Sequence, residues 1–273
     1  INLVQMNFAQ KYKEKVFSYF LDELNKGKTP NPDIYCNKYI KFKEFTDYAF
    51  ENGYDAVATG HYSKIQVIDR EYFLCKSYDQ SKDQTYFLSQ VDKEIFSKIK
   101  FPLGNLLKTD VRKIAERENL ITFDKKDSTG ICFIGERPFP EFLKNYLPEE
   151  YGEIVDDSGE VIGSHKGLHF YTIGQRQGLG IGGLKNREEK AWYVVDKDFS
   201  NNKLVVVQEN NHPLLFKTEL KVSNINWLKE PSSNLVSAKI RYRQKDQVCE
   251  IDVEGNNAFV RFKEPQRAVT PGQ

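Results

Sequence analysis

Apolar side chains recur every three or four positions between residues 8 and 24, at Phe8, Tyr12, Val16, Tyr19 and Phe20, and Gly27 follows as a stop. That spacing predicts an amphipathic helix. Ile40, Phe45, Tyr48 and Ala49 repeat the pattern over residues 37–52, with Gly53 just past the end. Residues 55–59 (DAVAT) read as a short strand that runs into Gly60 and His61, in the manner of a parallel strand of an α/β sheet. Residues 65–68 and 71–76 alternate around Asp69–Arg70, which predicts a hairpin. Further helices are expected over 84–90, 92–99, 110–118 (with Thr109 as N-cap) and 139–146.

Beyond Pro148 the period shortens. Residues 153–155 with the turn 157–159, then 192–195, 204–207, 235–242, 247–253 and 258–262, are short β-type runs separated by turn residues. Such spacing suggests small β-modules or a barrel. The glycine-rich stretch 174–184 (GQRQGLGIGGL) reads as a mobile connector or lid. An α/β half followed by β-rich appendages is the architecture expected.

The 273 residues suit two or three small domains. Hydrophobic residues make up only 39%, but 19 Phe and 15 Tyr supply bulky core material, so general disorder is excluded. The apolar runs are far too short for a membrane span, and no signal-peptide pattern opens the chain. A net charge of +1 does not announce a nucleic-acid binder, although basic residues can cluster locally. The four cysteines include no close pair, and the histidines stand apart at His61, His165, His169 and His212. Neither a disulfide framework nor a zinc site is expected, and no metal ligands are assigned. The chain reads as cytoplasmic.

Two cysteines stand out. Cys36 follows two prolines in TPNPDIYCNK, with a helix expected to begin close by; dipole and exposed amides at a helix start favour a thiolate. Cys132 lies between Gly130 and Gly135, with Lys125, Lys126 and Arg137 around it, a flexible and positive setting for a reactive thiol. Cys75 and Cys249 sit inside strand patterns, where cysteine acts as a small buried hydrophobe. Gly60–His61 follow a parallel strand, at the end where open α/β sheets bind ligands, though the glycine equally suits a plain turn. Lys82–Asp83–Gln84 precede a helix, and Asp83 could be an ordinary cap. Arg241–Tyr242–Arg243 interleave charge and ring, as phosphate contact and base stacking require, or form a solvated strand face.

These segments resemble the tRNA-specific 2-thiouridylases. The matching blocks are TPNPDIYCNKYIKF at 29–42, ATGHY at 58–62, KDQTYFLSQ at 82–90, KDSTGICFIGER at 126–137, YTIGQRQGLGIGG at 171–183, HPLL at 212–215, then RYRQ and EPQRAVTPGQ. The resemblance implies an ATP-pyrophosphatase (PP-loop) α/β domain at 1–146, here incomplete, a central β-rich domain at 147–207 and a C-terminal β-barrel at 208–273. It implies that ATP, with Mg2+, adenylates O2 of the wobble uridine of a tRNA, and that persulfide sulfur from a carrier protein or cysteine desulfurase then replaces the activated oxygen. Cys132 would hold the persulfide, and Cys36 would be the nucleophile that forms a transient disulfide with it. Asn31, Pro32 and Asp33 would surround the target base, and Gly60 would contact ATP. His61, Lys82, Asp83, Gln84, Arg241, Tyr242 and Gln273 would meet tRNA.

A phosphate loop of the form SGGxDS, which the family places on its first strand, does not occur in these 273 residues. The expectation is therefore a chain without its first nucleotide-binding strand and its last barrel strand, binding ATP weakly by itself. Two other classes compete with the enzyme reading. One is a tRNA-binding module without catalysis; the other is a generic dithiol redox enzyme, which the missing Cys-x-x-Cys disfavours.

Overall fold

The computed structural model describes residues 3–125, 139–182 and 190–273. The chain divides into two compact units. The first comprises Ile1–Tyr19, Pro32–Glu136 and Asn226–Pro231; the second comprises Phe20–Asn31, Arg137–Ile225 and Ser232–Gln273.

The predicted helix at residues 8–24 runs as Ala9–Tyr12 and a π-helical turn Lys13–Phe17 in the first unit, then Ser18–Asn25, whose residues from Phe20 onward belong to the second unit. Strand β1 (Val57–Ala58) is followed by β2 (Ser63–Ile68) and β3 (Glu71–Lys76), and β4 is Ile99–Lys100. The hairpin of β2 and β3 forms as the alternation demands, with Ser63 opposite Lys76 and Ile68 opposite Glu71. Both turn residues, Asp69 and Arg70, have positive φ (50° and 68°), the tight two-residue turn that matches strand twist. β1 pairs in parallel with β4, and Thr59 extends the ladder by donating to the Lys100 carbonyl at 3.0 Å. Phe42, Ala49, Val57, Leu88, Val91, Phe96 and Ile99 form the core beneath them.

Several expected helices are shorter and tighter than their patterns suggested. Residues 84–90 and 92–99 become the 3-10 turns Thr85–Leu88 and Lys93–Lys98. The helix expected at 110–118 starts earlier, at Lys108, so Thr109 lies inside it and is not its cap. A distant carboxylate takes that role: Asp79 Oδ2 accepts the Lys108 amide at 3.0 Å.

In the second unit β5 (Gly152–Val155), β6 (Val161–His165), β7 (Trp192–Asp198) and β8 (Lys203–Gln208) form a sheet of order β6-β5-β8-β7, with β5 and β8 parallel. Its core is Ile154, Ile162, Leu168, Tyr171, Leu179, Val194, Leu204 and Val206. Strands β9 (Phe216–Ser223), β10 (Leu235–Ala238), β11 (Gln247–Glu254) and β12 (Asn257–Arg267) make an antiparallel sheet of order β10-β11-β12-β9. Ala258, Val260 and Phe262 alternate inward along β12 as the period of two predicts. β6 and β9 were not evident from pattern alone.

The connector reading of the glycine-rich stretch fails over its described part. Leu179 is buried in the core of the second unit, and Val194 exchanges backbone bonds with residues 174–175 (Gly174 N to Val194 O at 2.7 Å, Val194 N to Gln175 O at 3.0 Å). The glycines there serve turns of positive φ at Gly174, Gly178 and Gly180 while the chain stays anchored.

Candidate active site

The two prolines do not hold an extended loop all the way to Cys36. Pro32 begins the helix Pro32–Tyr35, where its missing amide and fixed φ cost nothing, and a π-helical stretch Cys36–Glu44 continues it. Cys36 therefore lies four residues inside the helix rather than at its first amides, beyond the turn where the dipole acts most strongly. Its thiol is buried, 5% exposed, with Val16 and Ile40 and with the rings of Phe8, Tyr12, Tyr35 and Tyr39 around that cluster. Asp33 falls in the first turn of the same helix. Cys132 lies outside the described residues, as do Lys126 and Arg137, so its relation to Cys36 is not part of the geometry. Cys249 is buried in β11, and burial pushes its thiol pKa up; Cys75 is half-buried in β3.

Within the second unit, the end of the chain folds back on the segment before Asn31. The Thr29 amide donates to the Pro271 carbonyl at 2.8 Å, and Gln273 Nε2 reaches the Thr29 carbonyl at 3.3 Å. Gly272, at φ 94°, permits the approach: a side chain there would meet the backbone of Thr29 at about 3.1 Å. Thus Gln273 and Asn31, some 240 positions apart in sequence by number alone, belong to one local structure.

In the first unit, Gly60 and His61 follow the carboxyl end of parallel strand β1. Gly60 is exposed, its φ is not positive, and a Cβ there would meet only Leu103 Cδ1, at 4.0 Å. Neither backbone nor packing demands a glycine. His61 Nδ1 shares a 2.9 Å hydrogen bond with Thr59 Oγ1, and its ring lies between Phe42 and Phe101, at 5.5 and 6.1 Å. Burial, aided by the charge of Lys41, lowers the His61 pKa to about 4. The imidazole is neutral at physiological pH and offers hydrogen bonding rather than charge.

A stability prediction follows from that value. Unfolded, the imidazole titrates near 6.5; folded, near 4. As pH falls below 6.5 the unfolded state takes the proton first, so the contribution is intact above 6.5 and is lost as pH falls toward 4. Urea midpoints of the wild type should drop between pH 7 and pH 4.5, and His61→Gln should drop less. His165 and His169, whose pKa values burial also lowers, retain part of the slope in both proteins. Identical pH profiles for wild type and His61→Gln would refute the placement of a neutral, half-buried imidazole.

Of Lys82–Asp83–Gln84, two side chains organise the protein itself. Asp83 is 4% exposed; its oxygens accept from the Ser77 amide at 2.9 Å and the Thr85 hydroxyl at 2.6 Å, so it ties two segments together rather than serving as the expected cap, since the turn Thr85–Leu88 begins at Gln84 with no side-chain capping bond. Gln84 makes a reciprocal pair with Tyr62: its Oε1 accepts the Tyr62 amide at 2.9 Å and its amide donates to the Tyr62 carbonyl at 2.8 Å. Lys82 is half-buried beside them. The segment therefore fixes the loop that carries Gly60 and His61.

Arg241 and Tyr242 are not in a strand, because β10 stops at Ala238 and residues 241–244 turn. Gln244 caps that turn by accepting the Ile240 amide at 2.9 Å. Arg241 Nη2 lies 2.8–3.0 Å from the Ile173 and Ala268 carbonyls and the Thr270 hydroxyl, tying three segments of the second unit together. Whatever else it meets, this guanidinium is a structural tie.

Sequence reasoning missed Asn37 and Asp79. Asn37 is 2% exposed and donates from Nδ2 to the Phe87 carbonyl at 3.0 Å. Asp79, besides capping at Lys108, accepts from the amide and hydroxyl of Ser81; the Asp-x-Ser spacing was the available signal. The Ser81 hydroxyl and the backbone amides hold its carboxyl below the usual range. Among the described residues no cluster of three or more His, Cys, Asp or Glu is positioned to hold a metal, and no helix is long and apolar enough to cross a membrane.

Three family models match in chain order: a tRNA methyl transferase HUP domain over residues 1–136, a tRNA methyl transferase PRC-barrel domain over 140–208 and an aminomethyltransferase beta-barrel domain over 217–273. They agree with an α/β first part, a β-rich middle and a C-terminal barrel fold. Curated relatives include the tRNA-specific 2-thiouridylase MnmA of Hahella chejuensis, 53% identical over all of this chain and 76% of its own length. Those of Francisella philomiragia (53% identical, 98% of this chain, 76% of its own) and Geobacillus kaustophilus (54%, 98% and 73%) are similar. The models' descriptions mention methyl transfer while these relatives are named for thiolation; each relative matches at least 98% of this chain at more than half identity overall, so their name carries more weight. The chain belongs to the tRNA-specific 2-thiouridylase (MnmA) family.

Proposed function

We propose that this protein makes 2-thiouridine at the wobble position of tRNA, using ATP and a persulfide sulfur. The observation that carries the reading is identity of 53% with a relative of that name over the whole chain. The domain division proposed is 1–146, 147–207 and 208–273, and the compartment is the cytoplasm.

A C2 carbonyl oxygen is a poor leaving group, and ATP, with Mg2+, supplies the activation that lets it depart as AMP. From this chain, Gly60 offers an exposed backbone that no internal packing claims, at the carboxyl end of a parallel strand, which supports its role as the nucleotide contact. Cys132 carries the persulfide delivered by a carrier protein or cysteine desulfurase. Its terminal sulfur bonds to C2 as AMP leaves. The Cys36 thiolate then attacks Cys132 Sγ; the electron pair of the breaking S–S bond passes to the sulfur on C2, which becomes the thiocarbonyl. A Cys36–Cys132 disulfide remains, and an external dithiol must reduce it before the next turnover. Asn31, Pro32 and Asp33 border the base, and its extraction from the anticodon stack costs a few kcal/mol that phosphate contacts can offset. His61, Lys82, Asp83, Gln84, Arg241, Tyr242 and Gln273 form the tRNA surface, with Asp83, Gln84 and Arg241 acting through the local structure they hold.

The test is mass analysis of nucleosides from tRNA incubated with the whole protein, ATP and a persulfide donor. Uridine with sulfur in place of one oxygen is expected. Unmodified uridine would overturn the reading, and methylated uridine would replace it with the chemistry of the family models' description.

A further inference from the structure

Cys36 is useful only if its sulfur is held in register with the groups that receive the base and the nucleotide, and the apolar packing against Val16 and Ile40 carries no direction of its own. The next residue supplies direction. Asn37 is buried, and its Nδ2 donates to the Phe87 carbonyl in the turn Thr85–Leu88. Lys38 Nζ reaches Gln90 Oε1 at 3.2 Å, a second tie to the same segment. One residue before that turn, Gln84 is locked to Tyr62 by its two reciprocal bonds, and Tyr62 follows Gly60 and His61 directly. Asp83 makes the turn rigid by holding Ser77 and Thr85 at once. A continuous set of directional bonds therefore joins the Cys36 helix to the end of β1, and Asn37 is its first link.

Asn37 Oδ1, in contrast, is buried with no hydrogen-bond partner among the described residues. An apolar side chain of similar size would avoid that cost, so overall stability does not account for an amide here. We propose that Asn37 is a positioning residue for sulfur transfer: its amide holds the Cys36 thiol in register with the Gly60–His61 strand end through the Thr85–Leu88 turn. The proposal rests on the reading of Cys36 as the nucleophile that releases sulfur.

Asn226 provides an internal control. Its Nδ2 grips the same segment by donating to the Ser89 and Val91 carbonyls at 2.9 and 3.0 Å, and neither of these bonds involves the Cys36 helix. The whole protein, loaded with labelled persulfide sulfur, is mixed with ATP and tRNA, and the rate of label transfer is followed alongside persulfide loading and the KM for tRNA. Asn37→Ala should slow transfer at least tenfold while loading and KM stay within twofold, Asn226→Ala should transfer within twofold of wild type, and Asn37→Ser, which keeps a donor, should recover part of the rate. If Asn37→Ala does not fold, Asn37→Ser is judged by the same criteria against wild type. Transfer within twofold for the Asn37 variant overturns the proposal. So does an equal loss in Asn226→Ala, or a joint loss of loading, KM and transfer, since either marks a merely structural amide. A Cys36→Ser protein that transfers sulfur normally overturns the underlying reading, and this proposal with it, whatever the Asn37 variants do.

Discussion

Cys36→Ser is expected to stop thiolation while leaving labelled sulfur on Cys132. The two thiols do different work: one stores sulfur, the other breaks the bond that holds it. Without Cys36, the persulfide can still load, but nothing within the protein attacks Cys132 Sγ, and single-turnover transfer should fall at least about a hundredfold, as when a nucleophile is removed from a unit of cooperating groups. Cys132→Ser should instead accept no sulfur at all. Serine fits the Cys36 site in size, but burying its hydroxyl among apolar side chains should cost about 1–3 kcal/mol of stability, so persulfide loading and tRNA affinity of the folded protein are the readouts that should not move. An external thiol at high concentration should partly restore Cys36→Ser by substituting for it in the exchange, and should do nothing for Cys132→Ser. Transfer by Cys36→Ser at the wild-type rate without added thiol would exclude the resolving role.

The second large effect separates two glycines that look alike in sequence. At Gly104 an added Cβ would lie 2.1 Å from the Ser63 carbonyl oxygen, an impossible contact with the backbone of β2, so either the 101–106 turn or β2 must move. Gly104→Ala should therefore cost about 3 kcal/mol, at the upper end for overpacking in a rigid site, read from urea unfolding. At Gly60 the same methyl group meets nothing closer than 4.0 Å and the backbone is not strained. Gly60→Ala should leave stability within about 0.5 kcal/mol of wild type, as an open surface site does. Its ATP-dependent step should nevertheless weaken, because the methyl group would occupy the face offered to the nucleotide. A stable Gly60→Ala protein with unchanged ATP dependence would remove Gly60 from the site.

Local pattern revealed much of the framework. Alternation located the β2–β3 hairpin and the buried row of β12, and Gly27 and Gly53, both of positive φ, ended the helices they were expected to end. It misled where a long-range bond replaced a local one. Thr109 looked like a cap, but Asp79 reaches across to cap Lys108. Arg241 looked like a strand residue, but it lies in a turn, where three acceptors on two other segments hold its guanidinium. The glycine-rich stretch looked mobile because glycine count does not reveal that Leu179 is a core residue.

Of the site, Cys36 and the Gly60–His61 strand end were legible because each follows a local signal, a proline pair or a short strand. The burial of Cys36, the neutral state of His61 and the tie through Asn37 were not. Each depends on groups such as Phe101, Tyr12 and Phe87 that are distant in sequence and arrive only with the fold.

The central claim, that sulfur leaves Cys132 by disulfide exchange with Cys36, is tested most directly by counting bonds in a single turnover. Persulfide-loaded whole protein is mixed with ATP and tRNA in the absence of reductant, quenched with acid and alkylating agent, and the products are counted by mass spectrometry. One Cys36–Cys132 disulfide should appear for each 2-thiouridine formed, on the same time course. 2-Thiouridine accumulating while both cysteines are recovered alkylated as free thiols would contradict the account.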